Sequence, residues 1–486
     1  MIESGIQALI APVSLSIAII ILMMQIAFYR NNTISWAITI VALLIIILLL
    51  VSSTSSFEAQ QITILLKADQ YSVFFSILIS FAGLITTLLA RDYLKSRFGE
   101  NEEFYLLLLL SILGGLILVS STHLASFLLG LELLGVALYA LIGYPERGQL
   151  PLEAAVKYLI LSGTASAVLL FGFALIYAAL GTLSFTGIGE QLANTNAMNS
   201  ELDNSFIILM GTAMIFAGIG FKLSLVPFHM WTPDVYQGAP SPVTGFLATV
   251  SKGAIFAALM RLFVDAELYQ YQGLILGLSA LAIASMLAGN LLALKQDNLK
   301  RLLAYSSIAH LGYLLITLII YGSLERPDFA IEAASFYLCA YVVTSLGTFA
   351  LLSIISADSK EIDHIDQIKG LFWTHPLLAI LMSVALLSLA GIPLTIGFVG
   401  KFYLFTIGIS GSLWWLIAAL VVGSGIGIYY YLRIIFAMTM QNDQVTTINQ
   451  SISKTAIIVI WVLIAAILYL GINPQAFIEY LATIVL

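Results

Sequence analysis

Residues 216–243 read FAGIGFKLSLVPFHMWTPDVYQGAPSPV. An apolar run carries a lysine, Lys222, and then meets Pro227. Proline lacks an N–H and its ring clashes with the preceding turn, so a helix is interrupted there. Residues 387–405, LSLAGIPLTIGFVGKFYLF, repeat the theme: Pro393, with Gly391 and Gly397, interrupts an apolar run that carries Lys401. Broken helices at membrane depth survive only where they line a cavity or are buried in protein. A matched pair of them points to a transporter built from inverted repeats. Two unrelated proline kinks are the plain alternative.

The composition puts both runs in a membrane. Of 486 residues, 60% are hydrophobic and 9% are charged, 19 basic and 26 acidic. Mean hydropathy is +1.04. A soluble domain carries about 25% charged residues to cover its exterior, so a soluble enzyme, a nucleic-acid binder and a disordered scaffold are excluded. The net charge of −7 also argues against a nucleic-acid partner. The single cysteine, Cys339, allows neither an internal disulfide nor a cysteine-based cluster and reads as a small buried residue. The start, MIESGIQ, lacks a basic stretch, so no cleavable signal peptide is expected.

A spanning helix needs about 20 mostly apolar residues, and this rule gives about 14 spans. The fold class is therefore an all-α polytopic membrane protein, multi-pass in the lipid bilayer. Spans four to eight form a five-helix unit broken in its fourth member, and spans nine to thirteen form a second. An odd number of helices per unit makes consecutive copies opposite in topology. The expected organisation is flanking helices in 1–103, a first repeat in 104–265 broken near Pro227, an inverted repeat in 266–440 broken near Pro393, and a last span with a short amphipathic tail in 441–486. Strands are not expected, and the polar loop 182–204 is the one place left open for them.

Loop charges set the orientation. One side collects Arg30, Arg91, Lys95, Arg97, Arg147, Lys295, Lys300, Arg301, Lys360, Lys369, Arg433 and Lys454; the other holds Lys67, Arg261 and Arg326. The positive-inside rule makes the first side cytoplasmic and both termini periplasmic, in a bacterial inner membrane.

Four lysines remain within spans: Lys157, Lys222, Lys252 and Lys401. Glu132 in FLLGLELLGVALYAL and His310 in YSSIAHLGYLL also lie mid-span. A charge at the bilayer centre costs about 2.5–3.5 kcal/mol on insertion scales and marks an ion or proton path. Snorkelling from a helix end is the ordinary alternative, strongest for Lys157, and His310 also fits a structural hydrogen-bonding role. Burial lowers a lysine's pKa and a nearby carboxylate raises it, so lysine suits proton transfer. Glu132 is the natural partner for one of these lysines. Glu153 and Lys157 have the i,i+4 spacing of an ordinary helix pair. The sequence has no nucleotide-binding glycine loop and no histidine pair placed for haem.

Several of these segments resemble those of a known family. They are GFKLSLVPFHMWTPDVYQGAPSPVTGFLATVSKGAIFAALMRLF, NLKRLLAYSSIAHLGYLL, LMSVALLSLAGIPLTIGFVGKFYLF, NEEFYLLLLL, LEAAVKYLILS and YYYLRI. They are similar to the antiporter-like, proton-translocating subunits of respiratory complex I, the bacterial NADH:quinone oxidoreductase. The likeness covers essentially the whole chain, and Thr232 favours one branch over sister subunits with leucine there. The resemblance implies that Glu132 and Lys222 form an ion pair, that Lys252 is the central relay lysine, that His310 links the halves and that Lys401 is the terminal lysine. It gives Lys157 an auxiliary part and His229 a place along the intake path. It implies no cofactor in this chain, with NAD, FMN, iron–sulfur clusters and quinone in the parent complex. The partners it implies are other membrane-arm subunits, including sister antiporter-like subunits. Two other readings stay open: a subunit of a multisubunit cation/proton antiporter, and a structural spacer.

Overall fold

A computed structural model describes residues 9–53, 60–95, 101–144, 149–197, 202–356, 361–440 and 453–484. Arg97, Arg147 and Lys360, counted above with the basic side, lie outside these residues. Among the described residues, 13 helices are long and apolar enough to cross a membrane. Two shorter apolar helices, Pro376–Ala390 and Ile396–Ser410, are the halves of the interrupted span expected near Pro393. Together they match the expected 14 crossings.

The first break differs in detail from the expectation. Helix Leu202–Leu223 stops before Pro227, because Ser224 takes a left-handed backbone (φ 64°). The chain turns through Pro227 and re-enters a short helix, Trp231–Gly238. Loop 182–204 is also corrected: it contains helix Phe185–Ala197, not a strand. The loop is polar overall, but the apolar Phe185, Ile188 and Leu192 fall on one helical face and are buried. The only ladder among the described residues is the two-residue pairing of Gln60–Gln61 with Lys67–Ala68. The expected tail is one short helix, Gln475–Leu481.

Helices Ser241–Asp265, Leu299–Ile320 and Asp328–Ile355 are almost wholly buried and form the centre of the bundle. A helix apolar on all faces has no polar side to give to water, so it is surrounded by other helices. Peripheral helices such as Gln149–Leu180 expose Ile160, Leu170 and Phe171, which suits contact with lipid. Ion pairs between segments distant in sequence join the ends that alternating crossings bring together: Asp69 with Arg261, Lys300 with Glu361, and Asp297 with Arg433.

Two of those residues correct the assignment of loop charges. Arg261 and Lys300 read as loop residues in the sequence, yet both side chains are essentially inaccessible. Each sits within the end of a span, where a carboxylate from a distant segment neutralises it.

Helix contact in a membrane relies on small residues, because lipid is as apolar as leucine. Helices Glu102–Val119 and Leu124–Ile142 touch backbone to backbone: a methyl added at Gly114 would meet Leu134 N at 2.4 Å and Gly130 O at 2.8 Å. Helices Gln272–Ala293 and Leu299–Ile320 do the same: a methyl at Gly289 would meet Ala309 N at 2.7 Å and Tyr305 O at 2.8 Å. Backbone atoms cannot move aside as a side chain can. Gly289→Ala is expected to cost about 1–3 kcal/mol, the range for overpacking. Gly277→Ala, in the same helix, meets nothing within 4 Å and is expected to be neutral or stabilising. Thermal unfolding in detergent compares the two.

Candidate functional site

Lys222 lies at the last turn of helix Leu202–Leu223, so the break delivers it to the bundle interior. The carbonyl of Phe221 accepts there from Ser224 N and from Trp231 Nε1, each at 2.9 Å. Lys222 Nζ stands 3.6 Å from Glu132 Oε1 and donates to Ser162 Oγ at 2.7 Å. The hydroxyl of Ser166 donates to Glu132, and that of Tyr139 to Ser162 at 2.7 Å. The expected Glu132–Lys222 pair is thus formed, as a loose ion pair held by two serines. Lys222 is buried, whereas a third of the Glu132 side chain is exposed.

Lys252 directly follows a π-helical turn, Leu247–Ser251, in the central helix Ser241–Asp265. A π-turn inserts an extra residue and so rotates the side chains beyond it about the helix axis. Lys252 Nζ donates to Ser307 Oγ at 2.7 Å and lies 5.4 Å from the centre of the Tyr236 ring. Ser307 also accepts from the Tyr341 hydroxyl at 2.7 Å. Tyr158, packed on Tyr139 with ring centres 5.2 Å apart, interacts with Ser251 beside Lys252.

His310, one turn beyond Ser307, is wholly enclosed by tyrosines. Its Nδ1 is hydrogen-bonded to the Tyr337 hydroxyl at 2.6 Å, and Nε2 lies 3.5 Å from that of Tyr431. The rings of Tyr341 and Tyr313 stand 5.5 and 5.7 Å away, centre to centre. Tyr313 in turn faces Lys401 Nζ at 5.7 Å.

Lys401 closes the second break. Its Nζ donates to Leu389 O at 3.0 Å and Ala390 O at 2.8 Å, the last carbonyls of helix Pro376–Ala390. A cation is favoured at a helix C-terminus, where unpaired carbonyls concentrate negative charge. Gly391 makes this possible: it is left-handed (φ 84°), and a side-chain carbon would lie 2.7 Å from Lys401 Cδ. Among the described residues, no carboxylate stands within ion-pair distance of Lys252 or Lys401.

Lys157 belongs to a different network. It is two-fifths exposed, 2.7 Å from Glu153 Oε1 and 2.9 Å from Asp234 Oδ2. Asp234 also pairs with Arg301 at 2.6 Å, so it ties the short helix Trp231–Gly238 to both neighbours. His229 is buried edge-on to Tyr305, with ring centres 6.4 Å apart, and joins none of the bonds above. The hydroxyls escape a charge-based reading of the sequence. Tyr337 and Tyr341, and Ser162 and Ser166, are i,i+4 pairs inside apolar runs, a spacing that puts polar groups on one face.

Residues 121–427 match the family described as "NADH:quinone oxidoreductase/Mrp antiporter, TM". The chain is 47% identical over its full length, and over 96% of the relative, to the NADH-quinone oxidoreductase subunit N of Methylococcus capsulatus. It is similar to a chain of respiratory complex I from Thermus thermophilus, solved with bound aureothin: 31% identity, TM-score 0.81, covering 97% of this chain and 99% of that one. A chain of the Mrp complex of Dietzia shares the fold, with TM-score 0.84 at 18% identity over 99% of this chain and 97% of that one. Buried lysines in two broken spans, set in a bundle of this architecture and matched over most of its length, place the chain in the NADH:quinone oxidoreductase/Mrp antiporter membrane-subunit family.

Proposed function

We propose that this chain is the subunit-N member of the membrane arm of NADH:quinone oxidoreductase and carries protons from cytoplasm to periplasm. The full-length 47% identity to a named subunit N supports that branch, as does Thr232. On this reading NADH is oxidised and quinone reduced in other subunits, which hold FMN and the iron–sulfur clusters. Sister antiporter-like subunits are its neighbours, in a bacterial inner membrane with both termini periplasmic.

The observation that carries the mechanism is the row of buried polar groups between the lysines, hydrogen-bonded in short segments around Lys222, Lys252 and His310 and joined by ring contacts of 5.2–5.7 Å. Glu132 steadies the charge on Lys222, and moving that carboxylate away weakens the lysine's hold on its proton. The proton then has Ser162, Tyr139 and Tyr158 leading toward Lys252. From Lys252, Ser307 and Tyr341 lead to His310, and Tyr337 and Tyr313 lead from His310 to Lys401. Lys401 releases it to the periplasm. Lys157 and His229 act at the edge of this line, as auxiliary groups.

The inverted-repeat division, 104–265 and 266–440, gains support from the glycine contacts. Gly114 and Gly289, Gly130 and Tyr305, and Leu134 and Ala309 are each 175 residues apart and meet in the same way. On that offset Glu132 corresponds to Ser307. Each therefore holds a buried lysine from the same position of its unit, Lys222 and Lys252 respectively.

Purification of the tagged chain in mild detergent tests the identity. NADH oxidation, flavin and iron–sulfur signals are expected to co-purify in fixed ratio. Recovery with only small membrane subunits and no flavin overturns the proposal in favour of a cation/proton antiporter.

A further inference from the structure

The relay begins inside the bundle, and it leaves unused a buried cluster between Lys252 and the basic side. Glu361 lies between helix Asp328–Ile355 and the second broken span, with a quarter of its side chain exposed. Its Oε1 pairs with Lys300 Nζ and accepts from Ser241 Oγ, and its Oε2 accepts from the Tyr93 hydroxyl. Lys300 is inaccessible, and its Nζ also donates to Ala239 O at 2.8 Å. Three segments far apart in sequence thus converge on one carboxylate, which is the cluster's partly exposed charge.

The cluster points inward. Lys300 and Ser307 are seven residues apart on helix Leu299–Ile320, hence on one face and about 10 Å apart along the axis. Ser307 binds Lys252. Ala239, which Lys300 contacts, caps the short helix of Tyr236, and the Tyr236 hydroxyl stands 3.5 Å from Ser307 Oγ. A purely structural ion pair here is costly on the Lys300 side, because that ammonium loses its hydration and a well-packed apolar residue serves as well.

We propose that Glu361 and Lys300 form a cytoplasmic proton intake that joins the relay at Lys252, beside the supply from Lys222, with Glu361 as the collecting group and Lys300 as the internal donor. This rests on the proton-translocating reading above. The Lys300 ammonium gives one proton inward along the Tyr236–Ser307 line to a deprotonated Lys252 and becomes an amine. The Glu361 carboxylate takes one proton from cytoplasmic water, passes it to that amine and returns to its ionised form. One proton moves per cycle, with no electrons transferred.

The test uses the assembled complex in inverted membrane vesicles, measuring NADH-driven proton uptake and NADH oxidation by an artificial acceptor. Arginine keeps the charge and the pairing of Lys300 but holds its proton at all physiological pH values. Lys300→Arg is therefore expected to leave assembly and acceptor activity intact while cutting proton uptake several-fold. A structural role predicts the opposite, near-normal uptake in Lys300→Arg, and that result overturns the proposal. Glu361→Gln keeps one acceptor oxygen, for either Ser241 or Tyr93, and is expected to slow uptake, with Glu361→Asp recovering much of it. Equal loss in both Glu361 variants, with Lys300→Arg normal, also sinks the idea. Lys222→Met is run alongside: normal uptake in that variant rejects the relay itself, whatever Lys300→Arg does.

Discussion

Lys222→Met is expected to abolish most NADH-driven proton uptake while the complex still assembles. Methionine keeps the apolar stem and removes the ammonium. Glu132 then loses its partner, but a third of its side chain is exposed and Ser166 still donates to it, so the fold has a modest penalty to absorb. A positioned proton-transfer group contributes about 10²–10⁴ to a rate, so uptake is expected to fall at least tenfold. Lys401→Met is expected to act similarly at the far end, with one difference. It also uncaps Leu389 O and Ala390 O, so some loss of thermal stability accompanies the loss of transport. Proton uptake by inverted vesicles, beside NADH oxidation with an artificial acceptor, reads both. Normal uptake in both assembled variants rules out the lysine relay.

The second large effect concerns stability. Asp69 and Arg261 form a two-pronged pair, with Arg261 Nη1 and Nη2 at 2.6 and 2.8 Å from the carboxylate oxygens. The Ser72 N–H donates to the same carboxylate at 2.8 Å, and Lys67 stands 3.4 Å away. Burial by itself raises the Asp69 pKa, but the charge and hydrogen bonds of Arg261, the Ser72 N–H and Lys67 outweigh it and hold the group at about 2. Removing one partner of a buried pair costs about 3–5 kcal/mol, because the other charge is stranded. Asp69→Ala is expected to show this loss. Asp69→Leu with Arg261→Met is expected to regain much of it, since neither charge then remains.

The pH dependence has a definite sign. A carboxylate with a folded-state pKa below its unfolded value of 3.8 stabilises the fold fully above 3.8. That contribution disappears as pH falls toward about 2. Unfolding midpoints in detergent are expected to drop across this window in the native chain and to drop less in the double variant. Equal acid-side slopes for the two proteins contradict the assignment.

Much of this molecule is legible in one dimension. Apolar run lengths give the crossings, because a bilayer sets a length that each helix must meet. Proline and glycine inside such runs mark both breaks. The in-membrane lysines, Glu132 and His310 stand out, because an ionised group there is costly enough to need a reason. The partners of those groups are not legible. Ser307, Tyr341 and Tyr337 carry no charge, and serine or tyrosine in a span is too common to single out. Arg261 and Lys300 are misplaced by sequence reading, because a charge at the edge of an apolar run looks alike whether it meets water or a carboxylate.

What the sequence determined by itself was the solvent, the number of crossings, the approximate position of the breaks and the mid-span charges Glu132, Lys222, Lys252 and Lys401. Each depends on a local property: hydrophobic length, a missing N–H, an ionisable side chain. Only the tertiary structure decided which groups meet. Asp69 and Arg261 are 192 residues apart, Tyr93 and Glu361 are 268 apart, and Glu132 reaches Lys222 across two intervening helices. Such pairings depend on helix rotation and close approach, set by glycines such as Gly114 and Gly289 and by the π-turn before Lys252. Without the extra residue of the π-turn, Lys252 would turn away from Ser307, and nothing in the periodicity of the chain would register the difference.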